Sequence, residues 1–273
     1  MDIHNLKMIG QGNTAEIYKY GEDKIIKLFR KEIPKEVAAL EYEKAVFIQT
    51  YVENVPKAYD FITENNRYGI IYDRIYGIDL IKIIIKSIGK INHYSRTLAL
   101  LHMSIHQKKV KVNEEFSVKN KLRCDIEAVE ALSYEQKEFL TQYLKELPDG
   151  EVLCHFDFHP GNIMIQGKEP IIIDWMTACV GNPCADIART YLILNYGELP
   201  NGTYLVRKLV RLFQRHVGKI YYREYLKHSV FTESDIEKWI LPVAAARLRE
   251  WIPDSEKKIL SNLVNEKMRA IRN

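Results

Sequence analysis

The first ~70 residues read as short strands and one helix. Ile17-Tyr18-Lys19-Tyr20 and Lys24 to Phe29 flank Gly21-Glu22-Asp23, which predicts two strands joined by a tight turn. Lys35 to Tyr51 follows Pro34 and carries Leu40, Phe47 and Tyr51 at i, i+7 and i+11, which predicts a helix that Val55-Pro56 breaks. Ala58 to Ile62 and Tyr68 to Tyr72 predict two more strands around an Asn65-Asn66 turn. After Gly77 the pattern changes, and Ile78 to Ser87, Tyr94 to Gln107, Lys119 to Leu132 and Tyr134 to Leu147 are helical by period. Pro148-Asp149-Gly150 stops the last of these. Val152 to Cys154 and Ile171 to Ile173 are short β segments around a loop, and the chain from Asp186 onward is helical again. The expected fold is α+β, with a small antiparallel β-rich lobe over residues 1–76 and a larger helical lobe over 77–273.

Composition narrows this little. The 273 residues are 47% hydrophobic and 28% charged, which excludes a disordered chain, a collagen-like fibre and a disulfide-stapled miniprotein. The N-terminal residues lack the basic and apolar segments of a signal peptide. The most apolar stretch, Ile78 to Ile88, is interrupted by Asp79, Lys82 and Lys86, so no membrane span is expected. Cys124, Cys154, Cys179 and Cys184 form no CxxC pair and read as thiols in a reducing, cytoplasmic compartment. The net charge of +4 hides an asymmetry: residues 1–200 balance at −3 and residues 201–273 at +7. Arg207, Lys208, Arg211 and Arg215 lie on one helical face of that basic quarter, which reads as a solvated surface.

The strongest chemical signal is His155-Phe156-Asp157-Phe158-His159-Pro160-Gly161-Asn162, followed by Ile171-Ile172-Ile173-Asp174-Trp175. Phosphoryl transfer needs a carboxylate beside the attacking hydroxyl, and carboxylate and amide oxygens for Mg²⁺. An Asp and an Asn five positions apart can divide those tasks, with a second Asp after a neighbouring strand. Protein kinases place H-R-D-x-x-x-x-N and D-F-G in these roles; here the pattern is H-F-D-x-x-x-x-N and I-D-W. Near the N-terminus, Gly10-Gln11-Gly12-Asn13-Thr14 precedes a strand pair, as in a phosphate-covering loop, and not a strand-to-helix turn. Lys27, after Ile25-Ile26, matches the phosphate-contacting lysine of such a loop-and-strand unit, with Lys24 its competitor beside the turn. For its carboxylate partner, Glu43 falls between Leu40 and Phe47 on the stripe that includes Glu36, while Glu41 falls off it.

The H-F-D-x-H-P-G-N run and the later I-D-W resemble the aminoglycoside phosphotransferase and choline kinase family, small-molecule kinases with a protein-kinase-like two-lobe fold. The resemblance spans roughly residues 9–190. It implies ATP and Mg²⁺ as cofactors, Asp157 as the catalytic base or hydroxyl-orienting residue, and Asn162 and Asp174 as metal ligands. It implies adenine contacts from the Asp73 carbonyl and the Ile75 N–H, in the segment Tyr68 to Gly77. It also implies that Asp186 braces the catalytic loop. His155, His159 and His102 read as structural, and a zinc site from Cys154, His155 and His159 is the discarded rival. Trp175, Tyr191, Trp239, Trp251 and Glu250 are candidates for an acceptor pocket, each with core packing or solvation as its plain alternative.

The expected activity is therefore transfer of the ATP γ-phosphate to a hydroxyl of a small molecule, with aminoglycoside-, choline- or homoserine-like acceptors open. No membrane and no nucleic-acid partner is expected, and the oligomeric state is not legible. Two alternatives stand beside it. A protein kinase is disfavoured by the missing D-F-G and A-P-E and the short link from Asp174 to Asp186. A non-catalytic nucleotide-binding or nucleic-acid-binding module would have no need of Asp157, Asn162 and Asp174 together.

Overall fold

A computed structural model of the chain describes residues 6–12, 14–111, 114–198 and 203–272. The elements run β1 (Met8–Gln11), β2 (Ala15–Tyr20), β3 (Lys24–Phe29), α1 (Lys35–Ile48), β4 (Ala58–Glu64), β5 (Arg67–Asp73), β6 (Ile78–Asp79), α2 (Leu80–Lys86), α3 (Ile91–His106), α4 (Val118–Glu127) and α5 (Tyr134–Glu146). They continue as β7 (Val152–Cys154), β8 (Ile163–Gln166), β9 (Glu169–Ile172), β10 (Cys179–Gly181), α6 (Pro183–Tyr196), α7 (Tyr204–His228), α8 (Glu233–Arg247) and α9 (Asp254–Arg272). An antiparallel sheet followed by a mostly helical remainder makes the fold α+β, as the sequence pattern predicts.

The chain divides into two compact units. The first is Met1–Lys86 with Pro160–Thr177, and the second is Ser87–His159 with Ala178–Asn273. The break expected at 76/77 thus falls at 86/87, and a later segment joins the first unit. The reason is strand pairing. β8 lies between β6 and β9, with Ile78 opposite Ile165 and Ile163 opposite Ile172.

In the first unit the sheet order is β1-β2-β3-β5-β4, all antiparallel. Asn65 and Asn66, at φ 51° and 58°, make the two-residue turn between β4 and β5, a conformation asparagine tolerates. The two-residue period of β3 sets its faces. Ile26 and Leu28 pack with Ile71 on one side, while Phe29 packs with Ala15, Ala38, Ala58 and Ile70 beneath α1 on the other. Lys27 shares the face of Phe29 and so points toward α1.

In the second unit β7 and β10 form a two-stranded ribbon with Cys154 opposite Cys179. α6 and α8 are buried over most of their circumference, including Ala185, Ile187, Ala188 and Leu192 on α6 and Trp239 to Arg247 on α8. Asn182 caps α6 by accepting from Cys184 N, and Pro183 takes the first helical position, where its missing N–H costs nothing. Thr232 and Asp235 form a reciprocal capping box that starts α8. α7 packs on α3 and α6 through Val217, Tyr221 and Tyr225. The predicted helix over Lys119 to Leu132 stops at Glu127, and Ile78 and Asp79 pair as β6 before α2 begins.

Candidate active site

In the first unit, Lys27 Nζ lies 2.6 Å from Glu41 Oε1 and 4.0 Å from Asp174 Oδ1. Burial of the ammonium pulls its pKa down, but the Glu41 charge, then that of Asp174, raise it overall. Lys27 is therefore a fixed cation. Tyr72 closes the group from β5, with its hydroxyl 3.4 Å from the same Glu41 oxygen. Burial, then the Glu41 and Asp174 charges, raise the Tyr72 pKa well above its ordinary value.

The partner expected for Lys27 was Glu43, and this is corrected. The buried stripe of α1 is Ala38, Glu41 and Ile48, whereas Glu43 is exposed and Leu40 is 44% exposed. α1 carries apolar side chains around most of its surface, so the large residues gave the wrong phase and the small alanine gave the right one.

Asp174 follows β9 at φ +63°, a left-handed backbone that aspartate visits at a cost. Its side chain is about half exposed. Trp175 fixes the turn from the next position, its Nε1 donating to Ile172 O at 3.0 Å, and Lys44 of α1 donates to Met176 O at 2.8 Å. Asn162 ends a short 3-10 turn and is buried, and its carbonyl accepts from Ile173 N at 2.9 Å. Asn162 and Asp174 are thus tied through one backbone bond beside the β8–β9 hairpin.

Gly10 and Gln11 are the exposed end of β1, opposite Ile17 and Glu16. Gly12 N donates to Ala15 O at 2.8 Å, Thr14 O accepts from Arg30 N, and Arg30 Nη2 reaches Gly12 O at 3.1 Å. Asn13 lies outside the described residues. Asp73 ends β5 opposite Lys24, and its carboxylate accepts from Tyr59 Oη at 2.7 Å and Lys57 N at 3.0 Å. Ile75 is half-buried in the irregular stretch between β5 and β6.

In the second unit, the loop after β7 carries Asp157, and α6 holds that loop bond by bond. Asp186 Oδ2 accepts from His155 N at 2.6 Å and Oδ1 from Phe156 N at 2.9 Å. One turn on, Arg189 Nε donates to Phe156 O at 2.9 Å and Thr190 Oγ1 to Phe158 O at 3.0 Å. Residues 186, 189 and 190 share a helical face, so one side of α6 satisfies four buried backbone groups on three loop residues, His155, Phe156 and Phe158. Phe156 sits at φ +62° and is buried, which is costly for an aromatic residue and persists because both its backbone groups are held.

The Asp157 carboxylate is 3.7 Å from His159 Nε2 and 3.9 Å from Arg189 Nη2. Burial alone would raise its pKa, but the adjoining His159, then the Arg189 charge, hold it far below the usual carboxylate range. Asp186 is completely buried, with His102 Nε2 at 3.0 Å and His106 Nε2 at 3.3 Å from one oxygen. Burial would raise its pKa, and the two histidines lower it well below the usual value. The other ring nitrogens face Tyr221 Oη at 2.7 Å and Tyr225 Oη at 2.6 Å. Burial brings the His102 pKa down to about 4, so its imidazole is neutral at pH 7.

His106, Tyr221, Tyr225 and Arg189 were not among the sequence candidates. The signals present were the i, i+4 spacing of His102 with His106 and of Tyr221 with Tyr225, and the position of Arg189 one turn after Asp186. Glu250 is not a solvated acid. One carboxylate oxygen pairs with Arg189 and the other accepts from Arg247 Nη1 at 2.9 Å. Arg247 also binds Glu256 at 2.7 Å. Among the aromatic candidates, Trp239 is core at 1% exposure, Tyr191 packs on Tyr222, and Trp251 is 96% exposed. No helix among the described residues is long and apolar enough to cross a membrane.

No curated protein matches the chain. Several solved structures share its protein-kinase-like fold. Aminoglycoside-3'-phosphotransferase of type VIII is 14% identical with a TM-score of 0.58, covering 89% of this chain and 93% of the other. APH(2")-IIa, in a streptomycin-ATP ternary complex, is 16% identical with a TM-score of 0.57, covering 96% and 92%. A choline kinase from Cryptosporidium parvum is 12% identical with a TM-score of 0.55, covering 98% and 90%. A family model described as the phosphotransferase enzyme family matches residues 6–225. With the match extending over most of its length, the chain belongs to the phosphotransferase enzyme family.

Proposed function

We propose that the protein transfers the γ-phosphate of ATP to a hydroxyl group of a small molecule, with Mg²⁺ as cofactor. The observation that carries this reading is the Lys27 ammonium held 2.6 Å from Glu41 and 4.0 Å from Asp174. A buried lysine oriented by one carboxylate and adjoining a second is suited to phosphate oxygens on one side and a metal ligand on the other.

In this reading Lys27 binds the ATP phosphates, and Glu41 keeps it extended and charged. Gly10, Gln11, Gly12, Asn13 and Thr14 cover the phosphates, and the Asp73 carbonyl and Ile75 N–H receive the adenine edge. Asn162 and Asp174 would hold the metal, since amide and carboxylate oxygens are hard donors of the kind Mg²⁺ takes. When bound, Mg²⁺ supplies positive charge to the phosphoryl group in transfer. Asp157 receives the hydrogen bond of the acceptor hydroxyl. Its depressed pKa makes it a weak base, which suits orientation and late proton acceptance over early deprotonation of an alcohol. The four cysteines are thiols, in keeping with a cytoplasmic setting.

The test is ATP consumption across aminoglycosides, choline, ethanolamine, thiamine, homoserine and sugars, with phosphate tracked into the acceptor. A hit should lose about 10²- to 10⁴-fold in kcat in Asp157→Asn, with the KM for ATP little changed. Near-wild-type transfer by that variant would overturn the assignment.

A further inference from the structure

The basic residues of α7 do more than coat the outside. Arg207, Lys208, Arg211 and Arg215 line a groove of about 420 Å³ within the second unit. The same groove is lined by Glu198, just after α6, and Ser255, in the first turn of α9.

Charge in this groove is not balanced. Arg211 pairs with Glu198, whose other carboxylate oxygen accepts from Ser255 Oγ. Glu198 is thereby used up. Arg215 is steered by a bond from its Nε to Asn195 O at 3.4 Å, which directs the guanidinium without neutralising it. Arg207, Lys208 and Arg215 have no acidic partner among the described residues. Three cations facing one concavity make a positive potential that concentrates anions. Guanidinium groups match the spacing of phosphoryl oxygens, and the ammonium adds a point charge. Leu212, 57% exposed, lines the same groove and gives it one apolar patch.

We propose that this groove is a binding site for a phosphoryl group, the dianion held by Arg207, Lys208 and Arg215. The apolar Leu212 beside the cations fits the carbon skeleton of a phosphate monoester. The inference goes beyond the phosphotransfer reading and does not depend on it.

The groove is also wired to the catalytic loop. Glu198 N donates to Glu256 Oε2 at 2.9 Å, and Glu256 Oε1 accepts from Arg247 at 2.7 Å. Arg247 and Arg189 share Glu250, and Arg189 lies 3.9 Å from Asp157. Every link belongs to the second unit.

Isothermal titration of the full chain with glycerol 3-phosphate, inorganic phosphate and glycerol, at an ionic strength of about 0.15 M, tests the site. Saturable one-to-one binding of a phosphoryl probe is expected, and none of glycerol. Arg207→Gln/Arg215→Gln should weaken it at least about tenfold at an unchanged melting temperature, whereas Lys27→Ala should not. Tighter binding of the ester identifies an organic phosphate as the occupant, and tighter binding of inorganic phosphate identifies the free anion; both support the site. No saturable binding, or equal affinity in the double variant, overturns it. Because the readout is binding, a protein that transfers no phosphate but binds the probe here would refute the proposed function and leave this site standing.

Discussion

Glu41, not Glu43, holds Lys27: its Oε1 lies 2.6 Å from the ammonium, and Glu41 is 5% exposed. Removing one member of a buried pair leaves the other charged and unsolvated. Glu41→Ala should cost about 3 kcal/mol of stability and reduce turnover more than tenfold. Glu43→Ala, at an exposed position, should stay within about 0.5 kcal/mol of the parent and keep its activity. Chemical denaturation and steady-state kinetics on both variants decide between the two glutamates.

Under the proposed function, Arg189 should share with His159 in setting the acid limb of the rate profile. In the proposed role Asp157 is ionised to accept the hydroxyl proton, and His159 and Arg189 keep its pKa low, so kcat/KM should hold level through pH 5 and fall only below about pH 4. Arg189→Ala removes one of the two cations and should move that limb up by about one pH unit, and Arg189→Lys should restore part of the shift. A limb that stays in place in Arg189→Ala would refute this role even if kcat dropped.

Buried His102 makes the fold acid-sensitive. Its folded pKa of about 4 lies below the ordinary 6.5, so the unfolded chain binds the proton first as pH falls. Stability is complete above about pH 6.5 and is lost progressively down to about pH 4, by roughly 3 kcal/mol. Asp186, whose folded pKa is lowered, contributes stability above its unfolded value near pH 4 and loses it below, extending the decline. His102→Gln should flatten the part between pH 6.5 and 4 in thermal melts, and an unchanged slope would show that another group carries it.

Two tryptophans at opposite extremes of burial should separate cleanly. Trp239→Ala empties a core position and should cost about 3–5 kcal/mol, whereas Trp251→Ala, with the indole in solvent, should change stability by less than about 0.5 kcal/mol. Equal losses in urea titrations would contradict the packing described.

Much of this was legible in the sequence because it is local. The strand pair around Gly21 and the Asn65-Asn66 hairpin are set by turn residues within a few positions, and the helix expected from Asp186 begins three residues earlier, at Pro183. Asp157, Asn162 and Asp174 stood out through the H-F-D-x-x-x-x-N and I-D-W motifs and the family resemblance these carry. What escaped depends on distance along the chain. Tyr221 meets His102 and Tyr225 meets His106 across 119 positions, and Glu250 meets Arg189 across 61. β8 and β10, of four and three residues, are too short for any period to show, and without β8 the transfer of Pro160–Thr177 to the first unit could not be foreseen. The phase of α1 failed because alanine marks its inner face while larger residues lie outside.

Asp174 has a consequence of another kind. Its φ of +63° is one that glycine adopts freely, while its half-exposed carboxylate makes a 4.0 Å ion pair with Lys27, of small weight at that exposure. Asp174→Gly should therefore melt higher than the parent, by up to about 1 kcal/mol at the midpoint, while transferring no phosphate. At such a position the residue best for the backbone and the residue best for phosphate transfer differ, so thermal stability and turnover should move in opposite directions.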